Sequence, residues 1–265
     1  MPFCYTGDAF YDAVLTFALG LAAVVMVLAW LVPSPYGRFA SAKLGPSLDP
    51  RLGWFLMELP SSVVFAVAFL LGPHRAEPVP LIIAAIWALH YGNRGFFFPL
   101  SMRVPRGQKA TFGLLVVAFG WLVTTLHGYL YGSFASTHGA HLGTAWLTDP
   151  RFLGGLSLYL VCLGLNIHSD AILRRLRTAE EVAQGIHTYR IPRGGLFRWV
   201  SSPSYLTELG AWLGLAVATW SLAGVFILVI SAANLIPRAR STHRWYRERF
   251  PDYPPERRAL LPGLW

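Results

Sequence analysis

The chain has 265 residues, of which 54% are hydrophobic and only 13% charged, with a formal net charge of +9. Together with a mean hydropathy of +0.46, this excludes an ordinary soluble domain and leaves a polytopic membrane protein. Seven apolar runs come near the roughly 20 residues that a helix needs to cross a bilayer. They fall at 11–32, 52–72, 78–99, 111–132, 152–173, 205–220 and 221–237, the last two sharing a tight turn around Thr219, Trp220 and Ser221. MPFCYTGDAF has no basic stretch, so the first run is expected as the first helix and not as a cleaved signal. If the odd-numbered helices run inward, every Lys and Arg except Arg75, Arg94 and Arg151 falls on one side. That asymmetry predicts an all-α polytopic membrane protein with seven transmembrane helices, N-terminus outside and C-terminus cytosolic, forming one domain over residues 1–265. Cys4 falls outside the membrane and Cys162 near mid-bilayer, so no disulfide is expected.

In chain order, the polar residues at membrane depth come next. The second run carries Glu58 in WFLMELPSS, with Pro60 two residues on, where a missing backbone donor can kink the helix. The third ends in LHYGNRGFFF, which places His90, Tyr91, Asn93 and Arg94, with Tyr91 and Arg94 on one face. His138 and His141 lie in a Gly- and Ala-rich outer loop with no carboxylate nearby, so no metal site is expected. In LNIHSDAILRRLR, at the end of the fifth run, Asn166, Asp170, Arg174 and Arg177 are spaced to share one face of a continuous helix. The segment from Arg177 to Arg198, with Gly185, Gly194 and Gly195, reads as a lid. SYLTELGAW in the sixth run holds Glu208. Ionisable groups at this depth are costly and point to function; a Glu58–Arg94 structural ion pair and a snorkelling helix end are the plainer alternatives. Jointly they suggest a cavity that is apolar at membrane level and basic at its cytosolic mouth, suited to an anion with a long body and to a lipid-soluble substrate. The GxGxxG fingerprint, and any strand pattern to carry it, are absent.

WFLMELPSS, LHYGNRGFFFPL, LNIHSDAILRRLR, YRIPRGGLFRWVSSPSYLTELG, LAVATWS and HRWYRERFPDYPPERRALLP resemble, in order, the blocks of the steroid 5α-reductase family, the membrane-embedded 3-oxo-5α-steroid 4-dehydrogenases. The resemblance runs from about Tyr36 to Leu261. It implies NADPH as cofactor, a steroid-like lipid substrate, and Glu58 and Tyr91 as the catalytic pair. The cofactor contacts it implies are Asn166, Asp170, Arg177, Tyr189, Glu208, Arg238 and Tyr246, with Arg94, Arg103, His168 and Arg174 as supports. Tyr36, Arg38, Arg190, Ser204 and His243 complete the cofactor set, and Trp54, Met57 and Phe96 are implied against the substrate. Met57 stands where family members often have Gln, Ser204 where Asn is usual, and Thr242 in what is often a His-rich run.

The implied reaction reduces a carbon–carbon double bond conjugated to a ketone. Two donors, Tyr91 and a protonated Glu58, would stabilise the oxygen on which enolate charge develops. Arginines on several cytosolic segments suit phosphates, because a planar guanidinium donates two hydrogen bonds at once. Alternative readings are a related reductase of a polyprenol or enoyl thioester, an isoprenylcysteine-type methyltransferase using S-adenosylmethionine, and a lipid transporter. A monomer in a bacterial inner membrane or the endoplasmic reticulum, binding no nucleic acid, is the expected setting.

Overall fold

The computed structural model describes residues 5–31, 39, 45–107 and 112–265; Tyr36 and Arg38 lie outside them. The described chain is mostly helical: α1 (Ala9–Leu31), α2 (Pro50–Leu71), α3 (Pro78–Tyr91), α4 (Phe98–Ser101), α5 (Leu114–Ser133), α6 (Pro150–Arg175), α7 (Ala179–Ala183), α8 (Pro203–Thr219) and α9 (Leu222–Arg249). A π-helical turn, Gly92–Phe97, joins α3 to α4, so Pro78–Ser101 is one helical stretch with a local widening. Among the described residues the all-α expectation meets two small exceptions, an antiparallel ribbon of β1 (Ser47–Leu48) with β2 (Phe112–Gly113) and an isolated parallel bridge between Val200 and Arg258. The ribbon delays the start of α5 to Leu114, because Gly113 is extended at ψ 142.

Among the described residues, five helices are long and apolar enough to cross a membrane: α1, α2, α5 with its π-helical extension to His138, α6 and α9. Only 17% of the apolar stretch of α1 is buried, and Val24, Val27 and Leu31 are more than half exposed. A helix that is apolar all round and yet so exposed fits hydrocarbon and not water. The stretches expected as spans three and six behave differently. The third is split by the π-helical turn, and α8 has 17 residues.

Two of the long helices start with the same device. Asp49-Pro50-Arg51 and Asp149-Pro150-Arg151 each put an Asp at the N-cap, where its carboxylate accepts from the Arg amide at 2.8 Å, with Pro at the first helical position. Between α8 and α9 the chain reverses at Trp220, whose φ of 46 is left-handed and therefore strained for a non-glycine residue. Ser221 Oγ then caps α9 at Gly224 N, 3.0 Å away. Arg151 braces this turn, its guanidinium 4.4 Å from the Trp146 ring and 5.1 Å from the Trp220 ring.

Within the bundle, α2 packs along α5 and α6 along α8, while α3 sits between the two pairs. Trp87 of α3 stacks on Phe65 of α2 at 4.7 Å and on Tyr131 of α5 at 5.0 Å, and it meets Trp212 of α8 at 6.2 Å. Pro60 leaves the Leu56 carbonyl of α2 without its helical donor. Trp121 Nε1 supplies one at 2.6 Å, and Thr124 Oγ1 reaches the Met57 carbonyl at 3.0 Å. At membrane depth such freed carbonyls must be met from neighbouring helices, so the proline ties α2 to α5.

The other seam is set by close approach. A Cβ on Gly155 of α6 would lie 2.5 Å from the Gly214 carbonyl of α8, and one on Gly214 would lie 2.6 Å from the Gly155 carbonyl. Small residues at facing positions let transmembrane helices meet backbone to backbone. Gly155→Val is expected to destabilise the protein by about 1–3 kcal/mol through overpacking, whereas Gly154→Ala, whose Cβ would meet nothing within 4 Å, is expected to be neutral. Thermal unfolding of both variants in detergent checks this; equal midpoints would remove the backbone seam.

Candidate active site

A cavity of about 820 Å³ opens at the end of the bundle where α2, the π-helical turn, α6, α8 and α9 converge. That volume lies in the range of cofactor sites. Arg94, Arg103, Arg174, Arg177, Arg190 and Arg238 line it, against a single carboxylate among the described lining residues, Asp170. Trp54, Ser204, Tyr189 and Tyr246 complete the set of expected residues on its wall.

Asp170 organises the inner end. It accepts from Ser204 Oγ at 2.6 Å and lies 3.4 Å from Arg94 Nη1. Arg94 in turn lies 4.7 Å over the Trp54 ring and 4.8 Å over the Phe98 ring, and its backbone carbonyl accepts from Trp54 Nε1 at 3.1 Å. The guanidinium is thus held by a carboxylate on one side and aromatic faces on the other. Arg94 therefore pairs with Asp170, not with Glu58, and Glu58 forms no salt bridge among the described residues.

The helix α6 stops at Arg175, two residues short of the continuous helix read from LNIHSDAILRRLR. Asn166, Asp170 and Arg174 share its face, but Arg177 comes from the following loop. Arg103 and Arg177 there make a reciprocal clasp, each guanidinium donating to the other's backbone carbonyl. Arg174 donates to Ser101 Oγ at 2.6 Å, and Arg238 Nε to Tyr205 Oη at 2.9 Å. The expected lid is partly helical: a capping box of Thr178 and Glu181 starts α7, Arg190 donates to Glu181 and to the Leu176 carbonyl, and Arg106 N bonds Val182 O at 2.9 Å.

Behind the cavity lies a buried polar chain that single-residue reading does not join up. Asn166 donates to the Ser204 carbonyl at 2.8 Å and to Glu208 Oε2 at 3.1 Å. Glu208 Oε1 lies 3.2 Å from His90 Nε2, and His90 Nδ1 is 3.0 Å from Tyr159 Oη. Asn166 and Glu208 are consequently fasteners between α6 and α8, off the cavity wall. Of the remaining expected contacts, His168 is exposed and pressed under Gly195, and His243 bonds Ser201 Oγ at 2.6 Å.

Glu58 and Tyr91 also lie off the cavity wall, each about one helical turn from a residue that lines it: Glu58 from Trp54 on α2, Tyr91 from Arg94 at the end of α3. Tyr91 is buried, Glu58 partly so, and the two are within electrostatic range of one another. Tyr91 Oη is 3.2 Å from His127 Nδ1. Met57 turns to α5 against Gly120, and Phe96 is partly exposed, edge-on to Phe55 at 5.5 Å. Ser101, Tyr159, Tyr205 and His127 were not singled out from the sequence. Each is a single polar residue in an apolar or loop context, and only the packing gives it a partner.

The family described as 3-oxo-5-alpha-steroid 4-dehydrogenase matches residues 110–265, more than half of the chain. The chain is 40% identical over 247 residues to 3-oxo-5-alpha-steroid 4-dehydrogenase 1 of Mus musculus, covering 92% of each. With the Homo sapiens protein of the same description it shares 36% over 233 residues, 87% of this chain and 86% of the relative. Steroid 5-alpha-reductase DET2 of Solanum lycopersicum is 35% identical over 257 residues, 96% of this chain and 97% of the relative.

Hydrogen bonds from Arg190 hold the Glu181 carboxyl at about 2, below its ordinary value. A lowered carboxylate contributes above its unfolded value and loses that contribution as pH falls through the folded one. The clasp on α7 is therefore expected to hold from neutral pH to about pH 5 and to loosen only further down, toward about 2. Limited proteolysis across residues 185–194 should show Glu181→Gln cut faster than wild type at pH 7, with wild-type opening alike at pH 7 and pH 5.

Proposed function

The chain belongs to the 3-oxo-5-alpha-steroid 4-dehydrogenase family, an oxidoreductase family acting on CH–CH groups, and from this we propose that it reduces the conjugated double bond of a 3-oxo-4-ene steroid, or a similar lipid enone, with NADPH. The observation that carries the reading is the arginine-lined cavity whose inner wall, Trp54 and Arg94, stands one helical turn from Glu58 and Tyr91. Six guanidiniums against one carboxylate fit a ligand bearing several phosphate charges, and the aromatic residues beside them fit its planar rings. Arg103, Arg177 and Arg190, which come from loops that can adjust, hold the phosphate end together with Arg238 of α9, while Arg94, Asp170 and Ser204 are fixed by one another and mark the reacting end. When bound, NADPH supplies the hydride that the β-carbon accepts.

Tyr91 and a protonated Glu58 then donate to the ketone oxygen, where negative charge grows as the double bond is reduced. The protonation of the α-carbon is left to solvent or to a relay through the site. Seven spans are retained in this reading, with Pro78–Ser101 as the third and α8 as a short sixth. The N-terminus is placed outside, and the arginine-rich end of α9 in the cytosol, where the cavity opens toward the cofactor supply. The polyprenol, thioester and methyltransferase alternatives are not favoured by the relatives.

Incubation of purified protein with NADPH and a 3-oxo-4-ene steroid is expected to give cofactor oxidation with a 5α-reduced product. NADPH should be used far more efficiently than NADH, and Arg177→Ala or Arg238→Ala should raise the apparent NADPH constant; equal use of both cofactors and unchanged constants would refute the assignment of the phosphate end. Tyr91→Phe and Glu58→Gln should each slow turnover roughly 100- to 1,000-fold, the usual loss of one oxyanion donor, while still binding NADPH. Single-turnover rates measured beside cofactor titrations decide the point.

A further inference from the structure

His127 of α5 is buried, with Nδ1 3.2 Å from Tyr91 Oη. Its other ring nitrogen, Nε2, is buried with no hydrogen-bond partner among the described residues. The ring stands edge-on to Phe226 at 5.5 Å and 6.4 Å from Trp212; His90 and Glu208 lie within electrostatic range, and the hydrogen bond that orients the ring is the one with Tyr91. Backbone packing sets its place: the neighbouring Gly128 lies so close to α2 that a Cβ there would be 2.8 Å from Phe65 N.

A neutral imidazole carries its proton on one nitrogen, and the two tautomers leave different groups stranded. If Nδ1 accepted the phenol proton, Tyr91 would direct its only donor away from any substrate, and Nε2–H would be an orphaned buried donor. If Nδ1–H donates to Oη, the stranded group is a lone pair and Tyr91 keeps its proton. Orphaned buried N–H groups are rarer in folded proteins than under-satisfied acceptors. We infer that His127 donates from Nδ1 to Tyr91 Oη and is the positioning residue of that phenol, fixing its oxygen and freeing its hydrogen for the substrate ketone. A hydrogen bond accepted by Oη also polarises the O–H and makes it a better donor. The inference rests on the reading of Tyr91 as a donor to that ketone.

The test is single-turnover reduction of a 3-oxo-4-ene steroid by NADPH in His127→Leu, His127→Asn, His127→Gln, Tyr91→Phe and the double variant Tyr91→Phe/His127→Leu, with NADPH affinity and thermal unfolding measured on the same samples. His127→Leu should slow the reaction roughly 10-fold, the scale of one hydrogen bond, at unchanged NADPH affinity, since His127 is off the cavity wall. The Asn amide can occupy the Nδ1 position and should recover most of the rate; the Gln amide reaches the Nε2 position and should not. In the Tyr91→Phe background, His127→Leu should cost nothing further, as expected of residues acting as a unit. His127→Leu at wild-type rate or faster, beside an impaired Tyr91→Phe, overturns this inference and leaves the role of Tyr91 standing. Tyr91→Phe at wild-type rate removes both. Equal losses in the Asn, Gln and Leu variants that follow lowered unfolding midpoints would reduce His127 to a packing residue and overturn the inference as well.

Discussion

A carboxyl group at membrane depth has no water to turn to, and the way Glu208 is met organises this protein. His90 approaches one oxygen from α3 and Asn166 donates to the other from α6. Satisfying one acid therefore locks three helices to each other. The close meeting of Gly155 with Gly214 makes this feasible, because backbone contact between α6 and α8 brings Asn166 within reach of both Glu208 and the Ser204 carbonyl. Ser204 then hands the chain on to Asp170, and Asp170 to Arg94. A polar run that starts in the apolar interior ends on the cavity wall, so the position of the cavity's cations is inherited from the packing of the bundle.

Two of the backbone irregularities lie beside the proposed catalytic pair. Pro60 breaks the hydrogen-bond ladder of α2 beside Glu58, and the π-helical turn Gly92–Phe97 begins directly after Tyr91. Each defect has a structural answer: Trp121 and Thr124 meet the carbonyls near Pro60, and Trp54 meets the Arg94 carbonyl. These answers come from other helices, so the defects bind the bundle together while turning Tyr91 inward to His127 and Arg94 toward the cavity. π-helical turns are frequent at functional sites for this reason: one extra residue per turn re-aims the side chains on either side of it.

The mouth of the cavity is organised on different terms. The reciprocal Arg103–Arg177 clasp and the Arg190–Glu181 pair use backbone carbonyls and a solvated carboxylate. These are weaker and more exchangeable than the buried chain behind them. A rigid inner end and an adjustable outer end suit a long ligand whose reacting group must be held firmly and whose charged end must enter and leave.

The apolar runs and the alternation of basic loops made the helical membrane class legible in the sequence, because hydropathy and charge act residue by residue and need no partner. The ordered blocks from WFLMELPSS to HRWYRERFPDYP likewise made the family legible. Most of the arginines around the cavity could be named, because the resemblance carries the family's cofactor contacts over to them position by position. Pairing could not be read that way. The spacing of Asn166, Asp170, Arg174 and Arg177 suggested one cofactor-facing stripe, yet Asn166 turned out to be a fastener and Arg177 a loop residue, because α6 ends at Arg175 and α8 takes up the face of Asn166. His127 and Tyr159 gave no signal at all: a lone histidine or tyrosine in an apolar run looks the same whether or not another helix brings a partner to it. One sequence determines which residues are costly to bury, and only the tertiary structure decides which neighbour meets that cost, because hydrogen bonds and ion pairs act over about 3 Å between groups that are tens of residues apart in the chain.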